Sequence, residues 1–182
     1  MNVIPCELAG LLILEPKVFG DPRGFFLETW NQRRYREVGL DLNFVQDNLS
    51  LSRQDTLRGL HFQNPTPQGK LVSVWQGEVF DVVVDLRRSS PTFARSHGLR
   101  LSADNKRQFF IPPGFAHGFV VLSETALFHY KCTDFYTPKD ELTLRWDDPD
   151  LAIEWPVPAP VLSAKDATAP RLRDLPRERL FD

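Results

Sequence analysis

Two histidines in this chain stand in contexts that could carry chemistry. The first lies in Arg58-Gly59-Leu60-His61-Phe62-Gln63. Side chains alternate along a strand, so if Leu60 and Phe62 face one apolar layer, His61 faces the other side. An imidazole there is either a satisfied structural group or a base lining a cavity. Strict alternation sets Arg58 on the face opposite His61, unless Gly59 marks a bulge that resets the count. The second histidine lies in Pro112-Pro113-Gly114-Phe115-Ala116-His117-Gly118-Phe119, where two prolines and a glycine shape a tight turn into a strand. Tyr130 and Tyr136 are six apart and share a face if one strand carries both. They are either core aromatics or phenols able to act as general acids. Lys165-Asp166 follows a stretch stiffened by Pro156, Pro158 and Pro160. Asp166 is either a solvated loop carboxylate or one set behind a histidine, where it would orient the ring and select the tautomer. Arg23, Arg58, Lys70, Gln46 and Asn48 lie near turns and suit a phosphorylated small molecule, although scattered basic residues are usually solvated.

The elements that must position these groups read mostly as strands. Candidates are Phe25–Trp30, Phe44–Ser52, Leu57–Gln63, Phe109–Ile111, Phe119–Leu122, Thr125–Tyr136 and Leu142–Trp146. Lys70–Trp75 alternates, Gln76-Gly77-Glu78 turns, and Val79–Leu86 reads as its hairpin partner. One helix is clear: Asn31 caps Gln32–Val38, with Gly39 just past its end. Short strands separated by Gly and Pro turns, without alternating helices, predict an all-β jelly-roll or sandwich with few short helices. The chain, 1–182, reads as a single domain with a charged tail from about 167 to 182 that packs on the surface or frays.

Composition narrows the function. Of the 182 residues, 42% are hydrophobic and 25% charged, as in ordinary globular proteins. Lys plus Arg number 22 against 24 for Asp plus Glu, a net charge of -2 that argues against a nucleic-acid binder. No apolar run reaches the roughly 20 residues of a membrane span, and no signal peptide is visible. Two cysteines, Cys6 and Cys132, form neither a disulfide framework nor a metal-ligand spacing, so a reducing cytoplasm is the expected compartment.

Pro112-x-Gly114-x-x-His117 resembles one of the two signatures of the cupin superfamily. The other needs His-x-His in the earlier strand, and His61-Phe62-Gln63 lacks the second histidine. A transition-metal site takes three or four N, O or S ligands, and His97 and His129 stand at no helpful spacing. The expectation is a cupin-like barrel doing acid–base chemistry without a metal. Eight stretches in order then resemble the dTDP-4-dehydrorhamnose 3,5-epimerase family. They are Phe19–Glu28, Phe44–Ser50, Leu57–Gln63, Gln68–Lys70, Gly77–Asp85, Ile111–Phe119, Tyr130–Tyr136 and Ser163–Asp166. The resemblance runs from about Val3 to Pro170. One neighbour departs from the family's usual Tyr–Tyr pair, being Phe135-Tyr136 here.

That resemblance implies a double-stranded β-helix (jelly roll) working as a homodimer without cofactor or metal. It implies epimerisation at C3 and C5 of dTDP-4-dehydro-6-deoxy-D-glucose in dTDP-L-rhamnose biosynthesis. By the same resemblance His61 is the general base, Asp166 its carboxylate, Tyr130 the proton donor and Lys70 the lysine near the developing enolate. Arg23, Glu28, Gln46, Asn48, Arg58, His117, Tyr136, Glu141 and Lys165 are the remaining substrate contacts. The rival expectations are an epimerase of C3 or C5 alone or a ketoisomerase on a related sugar, a non-catalytic sugar-nucleotide binding module, and a metal-dependent cupin oxygenase.

Overall fold

A computed structural model describes residues 1–182. Strands β1 (Asn2–Pro5), β2 (Leu12–Glu15), β3 (Val18–Asp21) and β4 (Gly24–Leu27) precede helix α1 (Gln32–Glu37). Then come β5 (Gln46–Arg53), β6 (Leu57–Gln63), β7 (Lys70–Gln76), β8 (Glu78–Asp85) and β9 (Ser96–Ser102). Strands β10 (Gln108–Ile111), β11 (Phe115–Val121), β12 (Thr125–Cys132) and β13 (Glu141–Thr143) follow, with a short helix α2 (Ala164–Ala167). No helix is long and apolar enough to cross a membrane.

The strands form two antiparallel sheets, in the order β1-β2-β10-β7-β12-β5 and β13-β6-β11-β8-β9. This is the expected jelly roll. Alternate residues of both sheets meet between them: Val72, Phe109, Ile111 and Phe128 from the first, Val79, Val83, Leu101 and Phe119 from the second. Phe119 stacks on Phe128 with centroids 4.0 Å apart, a pairing that contributes about 0.5–1.5 kcal/mol beyond burial. The second sheet is buried on its other face too, where Leu60, Phe62, Val82 and Val84 pack against Leu144, Leu151, Leu172, Leu175 and Leu180. That double burial is why β8 reads as a nearly continuous apolar run. Helix α1 and the turn after it cover part of the first sheet, placing Tyr35 and Leu40 on Leu14, Leu71 and Phe110. Its cap is as expected: the Asn31 side chain accepts from Arg34 N, and Gly39 follows with φ of +91°.

Several expectations need correction. β7 and β8 are not a hairpin: β7 pairs with β10 and β12, and β8 with β9 and β11. Gly77 instead carries the chain from one sheet to the other. Its φ is +77°, and a Cβ there would lie 2.1 Å from Thr125 O, so only glycine passes. The strand drawn through Tyr136 stops at Cys132, because its partners run out at Gln46 on one side and Lys70 on the other. Thus Tyr130 and Tyr136 do not share one strand. Strands β1, β2, β3 and β9 were not expected: the first three are only four residues long, while in β9 Leu99 and Leu101 alternate with Gly98 and Arg100, a pattern the sequence carries. The tail does not fray: Phe181 forms a parallel bridge with Arg87, and Asn64 Nδ2 donates to Arg179 O and Leu180 O.

Candidate active site

The site lies between the two sheets, lined by β5, β7 and β12 of the first and β6 and β11 of the second. Strand β6 supplies its first group. Leu60 and Phe62 pack outward, so His61 points into the barrel, as the alternation implied. Opposite β6, the register of β11 shifts between His117, paired with His61, and Phe119, paired with Arg58. Two β6 residues, Gly59 and Leu60, therefore face the single Gly118. This bulge settles the open question: Arg58 and His61 line the same cavity. Gly59 is required there, with φ of +128° and a hypothetical Cβ only 2.6 Å from Gly118 Cα.

Asp166 stands behind His61, with Oδ1 2.6 Å from Nε2, and is buried. Val161 exchanges backbone hydrogen bonds with Asp55 and Leu57, which docks the Pro-rich segment on the start of β6. Ser163 then caps α2 by accepting from Asp166 N at 3.1 Å. Burial pushes the Asp166 carboxyl up, but the hydrogen bonds from His61 and Ser163 and the charges of His61 and Lys165 outweigh it. They hold Asp166 below the ordinary carboxylate value. With Asp166 accepting from Nε2, Nδ1 is the basic nitrogen of the neutral ring.

The cavity has two lobes, of about 340 and 420 Å³, that share Asn48, His61, Lys70 and Tyr130. One also holds Gln46, Tyr136 and Glu141; the other holds Arg58, His117, Lys165 and Asp166. Lys70 and Tyr130 come from β7 and β12 of the first sheet, so they face His61 of the second sheet across the barrel. Burial pushes the Tyr130 phenol up to about 12, so it stays protonated. Burial also pushes the Lys70 ammonium below the ordinary lysine range, although the charges of Cys132, Asp81 and Glu141 oppose the shift. Lys70 Nζ lies 6.0 Å from the Tyr130 ring centroid. Arg58 Nε donates to Ser52 Oγ at 2.9 Å. Tyr136 and Lys165 both donate to Glu141 Oε2, at 3.0 and 2.8 Å. Burial would raise Glu141, but these two bonds outweigh it and hold the carboxyl low.

Every expected site residue except Arg23 and Glu28 lines one of the lobes. Those two sit apart. Arg23 is on the β3–β4 hairpin, paired with Asp21 at 2.5 Å and fully solvated. Glu28 binds Asn31 and Arg34 at 3.1 and 3.2 Å. The hairpin stands off the barrel with Phe25 and Phe26 exposed at 62% and 69%. One further site residue is absent from those expectations: Asp81, whose Oδ2 lies 2.9 Å from His117 Nε2 while both side chains are buried. Burial raises the Asp81 carboxyl and lowers the His117 imidazole, against the attraction between them. The signal was present: Asp81 interrupts the inward-facing series Val79, Asp81, Val83.

This geometry has close counterparts. The profile of one family, described as dTDP-4-dehydrorhamnose 3,5-epimerase, matches residues 5–174. The dTDP-4-dehydrorhamnose 3,5-epimerase of Pseudomonas aeruginosa is 57% identical over 168 residues, covering 91% of this chain and 93% of its own. The crystal structure of dTDP-6-deoxy-D-glucose-3,5-epimerase from Legionella pneumophila, in complex with dTDP-4-keto-L-rhamnose, superposes with a TM-score of 0.96. It is 53% identical and covers 99% of this chain and 97% of that one. A 3'-monoepimerase from Streptomyces bikiniensis, in complex with dTDP-quinovose, is more distant, with TM-score 0.87 and 33% identity over 93% of this chain and 87% of its own. With an imidazole and a phenol facing each other across one jelly-roll cavity, and likeness over nearly its whole length, the chain belongs to the dTDP-4-dehydrorhamnose 3,5-epimerase family.

Proposed function

We propose that this isomerase inverts C3 and C5 of dTDP-4-dehydro-6-deoxy-D-glucose, giving dTDP-4-dehydro-L-rhamnose in dTDP-L-rhamnose biosynthesis. The observation that carries the reading is the placement of His61–Asp166 and Tyr130 on opposing sheets. A flat sugar held between them meets a base on one face and an acid on the other. His61 Nδ1 takes the hydrogen from a carbon next to the 4-keto group, and the electron pair moves onto the keto oxygen. Tyr130 then donates its phenol proton to the opposite face of that carbon, which inverts it. His61 releases its proton to solvent, and Tyr130 recovers one before the second centre turns over.

The hydrogen beside a ketone is a far weaker acid than imidazolium, and each unit of pKa mismatch costs about 1.36 kcal/mol. A base alone therefore does not suffice. The Lys70 ammonium forms no ion pair within the chain, and its donors suit the enolate oxygen. His117 is a second candidate there. Arg58 and Lys165 suit the diphosphate, and Gln46, Asn48, Tyr136 and Glu141 the remaining sugar-nucleotide groups. No step calls for a metal or redox cofactor.

The chain works as one domain, 1–182, in the cytoplasm and as a homodimer. The exposed Phe25 and Phe26 support the dimer. An arm that stands off its own barrel would carry Arg23 and Glu28 to a partner's cavity. An epimerase of one centre is the second reading, and the lower identity to the 3'-monoepimerase weighs against it. Incubation with substrate in D₂O decides by NMR. Deuterium at both C3 and C5 is expected; deuterium at one carbon selects the mono-epimerase, and none at either refutes the reaction. His61→Ala is expected to abolish the exchange while the dTDP affinity persists.

A further inference from the structure

Tyr136 lies beyond the end of β12, on a turn that belongs to no strand, and half its surface is exposed. Its hydroxyl donates to Glu141 Oε2 at 3.0 Å and its backbone N donates to Gln46 Oε1 at 2.8 Å, which leaves the two flanking peptide groups to be held. Gln63 holds both of those peptide groups. Its Nε2 donates to Phe135 O at 3.2 Å and to Thr66 O at 2.8 Å, and its Oε1 accepts from Thr137 N at 2.8 Å. One side-chain amide therefore grips the peptide groups on both sides of Tyr136. Gln63 is itself buried, 4% exposed, and sits two residues after His61 on the same face of β6. A buried amide with this set of partners is costly to disturb and defines a single position for the turn.

We infer that Gln63 is a positioning residue that fixes Tyr136 at the mouth of the cavity and thereby sets affinity for the sugar nucleotide, not the rate of proton transfer. The inference rests on the reading of Tyr136 as a substrate contact. The position is telling. Gln63 occupies the place where the His-x-His of a metal-binding cupin carries its second histidine. Here both ends of the amide are committed to the 135–137 backbone. A loop aromatic that is ordered in advance loses less freedom on binding, so the ligand retains more of the contact energy.

The test is a double-mutant cycle on the full-length enzyme, reading dTDP affinity by calorimetry and KM and kcat by turnover. Gln63→Leu and Tyr136→Ala are each expected to weaken dTDP binding and raise KM about tenfold, with kcat within about twofold. The double variant is expected to be no worse than Tyr136→Ala alone. Additive losses, or a fall in kcat at unchanged KM, would show that Gln63 acts elsewhere and overturn the inference. If Tyr136→Ala leaves binding untouched, it is the substrate-contact reading of Tyr136 that falls, and the inference with it. Gln63→Glu guards against a leucine variant that does not fold. It keeps the acceptor for Thr137 and regains a donor toward Phe135 O only when protonated. Its dTDP affinity relative to the native enzyme is expected to recover as pH falls; a pH-independent ratio counts against the inference.

Discussion

Replacing Asp166 by asparagine removes one negative charge from behind His61 and changes almost nothing in shape. When His61 takes a proton from the sugar, it becomes an imidazolium 2.6 Å from a buried carboxylate. A hydrogen bond to a charged group contributes about 1.5–3 kcal/mol. The His61 side chain is 26% exposed, so the environment lies between water and protein. Charges about 4 Å apart attract by ~1 kcal/mol in water and ~4 kcal/mol at an effective dielectric near 20. Taking ~2–4 kcal/mol as the loss in the transition state, kcat falls about 30- to 1000-fold at roughly 1.4 kcal/mol per decade. An asparagine amide can also donate to Nε2, which places the ring proton on Nδ1 and removes the basic lone pair. The assay is deuterium incorporation at C3 and C5 in D₂O, with dTDP affinity as a control for the fold of the site. Affinity is expected to hold within about twofold while exchange slows at both carbons. A kcat within about threefold of the native enzyme, or a loss lying wholly in KM, would refute the role given to the pair.

Tyr130→Phe removes the acid and leaves the base. Exchange of the substrate hydrogens with solvent is expected to continue while net inversion falls about 10²–10⁴-fold, read by comparing deuterium content with product stereochemistry. Lys70→Met is expected to lower kcat about 10²–10³-fold, the range seen when one oxyanion donor is lost. Because burial lowers the Lys70 ammonium, it loses its proton on rising pH before an ordinary lysine would. The kcat profile is therefore expected to decline on its alkaline side below the usual lysine range, and Lys70→Arg, permanently charged, to abolish that limb. Gly59→Ala places a methyl 2.6 Å from Gly118 Cα at a positive φ, so it is expected to cost several kcal/mol in urea unfolding, among the larger single-residue losses.

Much of the site was legible because strand periodicity makes side-chain direction readable. β6 runs over Leu57–Gln63 as expected, and its alternation aims His61 inward. Asn31 and Gly39 bracket α1 for reasons of local hydrogen bonding alone. What was not legible depends on which strands are neighbours. Gln76-Gly77-Glu78 has the chemistry of a hairpin turn, yet Gly77 joins two sheets, and only the contact with Thr125 distinguishes the two. Whether Gly59 was a bulge depended on Gly118, far along the chain. A buried charge at Asp81 was signalled by the break in the series Val79, Asp81, Val83, but its partner His117 and the grip of Gln63 on the 135–137 turn are long-range contacts with no local signature. Arg23 and Glu28 match the family's motif but lie on an arm away from this chain's own cavity.

The seam between Arg87 and Phe181 has a consequence for how the protein is made. Synthesis delivers the N-terminal strands first, and domains tend to fold as they emerge. In this chain the leucines that cover the outer face of the second sheet, Leu172, Leu175 and Leu180, arrive last. So does Asp166, 105 residues after the histidine it supports. Until residues 166–180 have emerged, a nascent chain lacks both the cover and the carboxylate, so the second sheet cannot close before then. A truncated product would leave Leu60, Phe62, Val82 and Val84 uncovered and present itself to proteases.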